Sequence, residues 1–237
     1  MTKPPLTESH GLHGTQPATT AHIAAAAVPG ASVPAPSPLL AIKAELRAAM
    51  NGVAATRIRQ SGMDYKLTFG VELPRLQAIA AEFAPDAHLA QALWHEAIRE
   101  CRILATMLYP TDSFCEDIAE VWTESIQMKQ AELAQYLVMN LLCKQPYAST
   151  KAFEWMASER PVHQLLGFLL IGRLLMQGRQ LSPSAEDEFL DQAAAIHTTH
   201  LALHKAVQNA LLRFADTGSQ RAAEAQQILS TLFLAKS

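Results

Sequence analysis

The sequence predicts an all-α protein, a stack of about five helix pairs, and three observations predict it. From Ser37-Pro38 onward, apolar residues recur at helical spacing almost without interruption. No segment shows the alternating β-branched pattern of a half-buried strand, and the connections are short, which favours antiparallel helix neighbours. The starts of alternate helices, near residues 98, 131, 162 and 200, lie roughly 30 to 40 residues apart, the spacing of stacked helix pairs.

The elements follow in order. Residues 1–38 are rich in Pro, Ala, Thr, Ser and His and carry no sustained apolar period. They cannot bury enough surface to offset the entropy of ordering and are expected to form a disordered tail, leaving 39–237 as a single helical domain. His10, His13 and His22 sit in that tail at irregular spacing and read as solvated. A first helix starts with Ser37 as cap and Pro38 in its first turn. It carries Leu39, Ile42, Leu46, Ala49, Met50 and Val53 and ends before Gly62. Pro74 opens a short second helix with Leu76, Ile79, Ala80 and Phe83 on one face. Asp86 caps a third, whose stripe is Leu89, Ala90, Leu93, Trp94 and Ala97. Ile98, Cys101, Ala105 and Leu108 continue the pattern to Pro110. Further helices are expected near 113–126, 131–143, 149–158, 162–176, 184–197, 200–215 and 219–235. The segment 162–176 is apolar nearly all round, with Arg173 as its one charge, and belongs at the centre of the stack.

Composition narrows the function. With 19 basic and 22 acidic residues the 237-residue chain carries a formal charge of -3, so any nucleic-acid site must be a local patch. Three cysteines, Cys101, Cys115 and Cys143, each lie in an apolar helical pattern; their odd number argues against a disulfide framework and for structural thiols in a reducing cytoplasm. No apolar run approaches the roughly 18 to 20 residues needed to span a bilayer, and Ile23 to Val28 is too short and alanine-rich for a signal peptide. No membrane partner is expected. His197, His200 and His204 have the spacing of a helical metal face, but Thr198-Thr199 marks a helix junction and no carboxylate or cysteine completes the set. Neither a metal nor a cofactor is expected, and no Gly-rich loop cradles a phosphate.

One stretch carries more than periodicity. Phe69 to Pro110 contains Gly70-Val71, Pro74-Arg75, Leu93-Trp94 and Arg99-Glu100 in an order that resembles the DNA alkylation repair family, the AlkD-like proteins built from HEAT-like repeats. Glu154-Trp155-Met156-Ala157-Ser158 resembles a repeat boundary of that family. Lys205-Ala206-Val207 through Leu211 to Ala215 resembles its late helix, so the likeness spans about residues 40 to 235. The resemblance implies a HEAT-like or armadillo-type α-α superhelix. It also implies DNA glycosylase ancestry, in which an acidic residue, an Arg and flanking Trp side chains face an alkylated nucleotide in a basic groove. The chemistry explains those residue types: cleavage builds positive charge on the sugar that a carboxylate stabilises, Trp faces contact sugar and cationic base, and Arg grips phosphate.

Matching the helices through Lys144-Gln145-Pro146 and Trp155-Met156-Ala157-Ser158 puts Ala131 at the catalytic acid, Gln127 at the preceding Trp, Leu165 at the Arg and Asn209 at the second Trp. None of the four can do the family's chemistry, so no catalytic residue is assigned. Glu132 is the substitute acid if the register moves by one, although one step turns a helical side chain by about 100 degrees. Its alternative reading is an exposed first-turn residue favouring the positive end of its helix. Arg173 or Arg213 is a substitute for the phosphate grip. Between Lys43 and Arg75 the basic residues Lys43, Arg47, Arg57, Arg59, Lys66 and Arg75 outnumber Glu45, Asp64 and Glu72. Arg57, Arg59, Lys66 and Arg75, with Arg173, are the expected DNA contacts; the plainer reading is a solvated face. Trp94, Trp122 and Trp155 read as core. Arg99 and Glu100, as sequence neighbours, are expected not to face each other and to tie neighbouring repeats instead.

The leading expectation is therefore a member of this family that binds DNA through backbone contacts with a degenerate glycosylase site. Its rivals are an active alkylpurine DNA glycosylase working through Glu132, and a HEAT-repeat protein-binding scaffold without a DNA role, which the acidic net charge favours.

Overall fold

The computed structural model describes residues 37–234. Most of the expected tail, with His10, His13, His22 and Ile23 to Val28, lies outside the described residues. Among the described residues twelve α-helices follow one another: α1 (Pro38–Ala48), α2 (Gly52–Gln60), α3 (Leu73–Ala81), α4 (Ala87–His95), α5 (Arg99–Leu108), α6 (Glu116–Glu124), α7 (Ala131–Asn140), α8 (Ala148–Met156), α9 (Pro161–Met176), α10 (Pro183–Ala195), α11 (Leu201–Ala215) and α12 (Ala222–Leu234). Short 3-10 turns occupy Thr111–Ser113, Met128–Gln130 and Leu142–Lys144. Among the described residues there is no strand, only an isolated bridge between Leu67 and Ile98. No described helix is long and apolar enough to cross a membrane.

One row of helices runs through the stack: α3 packs on α5, α5 on α7, α7 on α9 and α9 on α11. A second set backs it, with α4 on α5, α8 on α9 and α12 on α11. As its all-round apolarity predicts, α9 lies at the centre, where Leu165, Leu166, Phe168, Leu170 and Ile171 are buried. Gly167 allows this. A Cβ there would fall 2.7 Å from both the Ala152 carbonyl oxygen and the Met156 amide nitrogen, so only hydrogen lets α9 sit down on α8.

The expected single helix from Pro38 to Gly62 is two helices. Asn51 interrupts it: its side-chain oxygen accepts from the Val53 and Ala54 amides, each at 3.1 Å, capping α2 afresh. Its own amide donates to the Phe69 carbonyl at 2.9 Å. The apolar period continued through the break, yet Met50 and Val53 emerge exposed. Gly70 completes this joint with φ +73; a Cβ there would collide with the Asn51 carbonyl oxygen and the Ala55 amide nitrogen, so glycine is needed where the chain passes over the start of α2. Ser37 stands at the expected cap but makes no side-chain cap bond; Pro38 alone starts α1. Cys115 is not inside a helix: it is the exposed residue before α6. Ala97 falls beyond the end of α4 and is exposed.

Candidate functional site

The N-terminal ends of α5 and α7 meet in a buried polar network. Glu100, fully buried in the first turn of α5, accepts from Thr68 Oγ1 at 2.9 Å and from the Phe69 and Gly70 amides at 3.0 Å. Arg99 reaches the other way, donating through Nε to Glu132 Oε2 at 2.9 Å and through Nη2 to Glu132 Oε1. Contrary to the expectation for sequence neighbours, Arg99 Nη1 also lies 3.1 Å from Glu100 Oε1. Sequence spacing describes the Cβ directions; the long Arg stem folds back across the open first turn and brings the guanidinium to both carboxylates. The tie between repeats through Glu132 is as expected. Burial opposes the charge on Arg99, but hydrogen bonds and proximity to Glu132 and Glu100 hold its pKa above the ordinary value. Burial, reinforced by the Glu132 charge, pushes the Tyr65 hydroxyl upward as well.

Beside this network lies a cavity of about 760 Å3. Its wall includes Trp94 and Trp122, stacked with centroids 4.0 Å apart and planes 7° from parallel. Arg102 covers the stack, its guanidinium carbon 4.4 Å from the Trp94 centroid. Arg102 is pinned by Gln130 Oε1 at 3.0 Å and Ser125 Oγ at 2.8 Å. The tryptophans are core residues, as expected, and at the same time a cavity wall. Charge in this cavity is mixed, Lys66 and Arg102 against Asp64, Glu96 and Asp117.

A different character appears along the row formed by α7, α9 and α11. There a cavity of about 340 Å3 is lined by Gln135, Arg173, Asn209 and Arg213 among apolar neighbours such as Met139 and Leu169. Arg213 also lines an adjoining cavity of about 360 Å3 that contains Arg179 and Asp216. Arg173 Nε is buried without a hydrogen-bond partner. Amides and guanidinium groups thus open together on one row of helices, a donor-rich surface suited to phosphate or carboxylate oxygens.

A model of the DNA alkylation repair enzyme family matches residues 42–225. The chain belongs to the DNA alkylation repair enzyme family. No curated protein sequence matches it. Among solved structures, its fold is similar to that of a protein described as one of a new family related to the HEAT-like repeat DNA glycosylases with affinity for branched DNA structures. The two are 20% identical with a TM-score of 0.68, over 80% of this chain and 81% of that chain. The fold of this DNA alkylation repair family member is thereby the HEAT-like repeat stack.

The positions matched to the family's catalytic set differ in exposure and surroundings. Gln127 is exposed at the large cavity, where it opens the 3-10 turn before α7. Ala131 begins α7, half-buried, and Leu165 is 1% exposed inside the core of α9. Asn209 lies on α11 in the cavity with Arg173. Glu132, a residue from Ala131, is half-buried and engaged on both oxygens by Arg99. The basic residues are dispersed too. Arg57 and Arg59 are exposed in the last turn of α2, Arg59 donating to Thr56 Oγ1 at 3.1 Å. Lys66 lines the large cavity. Arg75 pairs with Glu45 at 2.6 Å, both half-exposed. Arg213 is expected from the sequence only as a substitute, and no sequence signal singles out Arg102 or Arg179. Their meeting with partners is set by helix packing, and no local spacing signals it.

Proposed function

We propose that this protein binds DNA through phosphate contacts along the α7, α9 and α11 row and does not excise bases. The observation that carries the second half is the Arg99–Glu132 pair. Glycosidic cleavage needs a carboxylate whose charge is available to a developing cation, and the acid nearest the matched catalytic position has both oxygens committed to a buried guanidinium. The first half is supported by family membership, by Arg173, Arg179 and Arg213 opening on that row, and by the branched-DNA affinity attributed to the structurally similar protein. Backbone binding also fits a chain of net charge -3, since a local cluster suffices. The free cysteines fit a cytoplasmic setting.

The test is anisotropy titration of labelled duplex and four-way-junction DNA at several salt concentrations, paired with an assay for purine release from methylated duplex. Binding that weakens steeply with salt, without release, is the expected result. Release abolished by Glu132→Gln overturns the proposal in favour of a glycosylase. Absence of binding at low salt leaves the protein-binding scaffold.

A further inference from the structure

Away from that row, three side chains that the DNA reading does not use converge between α6 and the start of α9. Glu120 and Glu124 are one turn apart on α6 and share a face, and His163 enters from the first turn of α9. One ligand atom from each lies within 4.8 Å of the others. His163 is 6% exposed, and its Nε2 is buried without a hydrogen-bond partner, 3.4 Å from Glu120 Oε1. That separation is too long for a good hydrogen bond, yet two atoms at about 2.0 to 2.1 Å from a tetrahedral zinc stand about 3.3 to 3.4 Å apart.

We propose that Glu120, Glu124 and His163 bind a divalent first-row transition ion of the zinc type, with water in the fourth position. The neighbours are arranged for it. His163 Nδ1 lies 3.3 Å from Ser158 Oγ, a contact that accepts the ring proton on Nδ1 and turns the Nε2 lone pair to the ion. Glu120 Oε2 accepts from Trp155 Nε1 at 3.0 Å, which fixes the carboxylate and leaves Oε1 to coordinate. Burial lowers the His163 pKa, and nearby Arg160 lowers it further against Glu120, Glu124 and Glu154, favouring the neutral ring. Two cations compete. Lys151 is 3.9 Å from Glu120 but is held at 2.9 Å by Glu154. Arg160 pairs with Glu124 where both side chains are 53% exposed, a weak pair that an ion can displace as the Glu124 side chain rotates inward. One imidazole beside two carboxylates favours a transition ion over calcium, which takes 6 to 8 oxygens. The ion would pin α6 to α9.

Cobalt(II) titration of the full chain, read by its visible absorption and repeated with zinc by calorimetry, tests this. One equivalent with tetrahedral cobalt absorption is expected. Glu124→Gln, at an exposed position that leaves the fold intact, and His163→Gln should each weaken that equivalent about 100-fold or abolish it. His88→Gln, at an exposed position on α4, should leave it unchanged. Identical titrations of the native protein, Glu124→Gln and His163→Gln, or the absence of cobalt absorption, overturn the proposal.

Discussion

The junction of α5 with α7 and the cavity between α9 and α11 both hold guanidinium groups, yet they are built in opposite ways. At the junction Arg99 and Glu100 are nearly or wholly removed from water, and Arg99 binds two carboxylates while Glu100 also accepts from the Thr68 hydroxyl and the Phe69 and Gly70 amides. Along the row Arg173 is half-buried with an unpartnered Nε, Arg213 is exposed, and neither has an ion-pair partner among the described residues. Arg99 and Glu100, expected from the sequence to tie neighbouring repeats, are consumed by the fold, and Glu132, the candidate substitute acid, is held with them. Of those left over for a ligand, Arg173 stands out in the sequence as the one charge of an apolar helix, whereas the company it keeps with Asn209 and Arg213 is set by packing.

The strongest way to break this contrast is Glu100→Ala. It strands three donors and leaves Arg99 with half its counter-charge in a region that water cannot reach. A loss of about 3 to 5 kcal/mol is expected from urea denaturation. A loss under about 1 kcal/mol would show that the junction is wet or relaxed and that its charges are available after all. Gly167→Ala tests the central packing rather than the charges. The new methyl meets two backbone atoms that cannot rotate away, and about 1 to 3 kcal/mol should be lost.

Glu132→Gln comes next. It converts a charged bidentate pair into a neutral contact, and about 1.5 to 3 kcal/mol of stability should go. DNA affinity should stay within twofold of the native value, because Glu132 stands at the α5 end of α7 and lines neither cavity of the row. A large change in affinity would merge the two regions into one site.

The contrast also explains which parts of the structure were legible. Helix positions follow from apolar periodicity because each helix buries one stripe, and α9 declared its central place by being apolar all round. The break at Asn51 did not, since Met50 and Val53 keep the period while facing solvent; only the Asn-Gly pair marks it. The Arg99–Glu100 contact was missed because neighbour geometry on a helix says little about where a long stem ends. Arg173 meets Asn209 and Arg213 of α11, and His163 meets Glu120 and Glu124 of α6, only through the packing of α9 on those helices. Cysteine shows the same limit: Cys101 and Cys143 are buried as expected, whereas Cys115 is exposed. Burial, aided by Glu96, pushes the Cys101 thiol up to about 12. At pH 8 a disulfide reagent should therefore label one thiol of the native chain quickly, at Cys115, and Cys115→Ser should remove that phase.

The double variant Arg173→Ala, Arg213→Ala sharpens the row. Each lost phosphate contact should reduce the slope of log K against log salt by about 0.9, with little change in denaturation midpoint. An unchanged slope would move the interface off the row, toward α2 or the large cavity.

Arg75→Ala carries the smallest expected effect and separates two readings of the same residue. Arg75 was expected to touch phosphate, but it stands on α3 paired with Glu45 on α1, with side-chain exposures of 44% and 41%. A pair so open to water is screened and its geometry is costly in side-chain entropy, so its loss should change stability by no more than about 0.5 kcal/mol. Its effect on DNA depends on whether Glu45 already neutralises it. If the pair persists in the complex, Arg75 contributes no counterion release and the salt slope of Arg75→Ala equals that of the native protein. If DNA displaces Glu45, the slope falls by about 0.9. In that case Glu45→Ala should raise affinity by freeing the guanidinium. Measured together, the two variants decide whether an exposed ion pair belongs with the committed charges of the junction or with the uncommitted ones of the row.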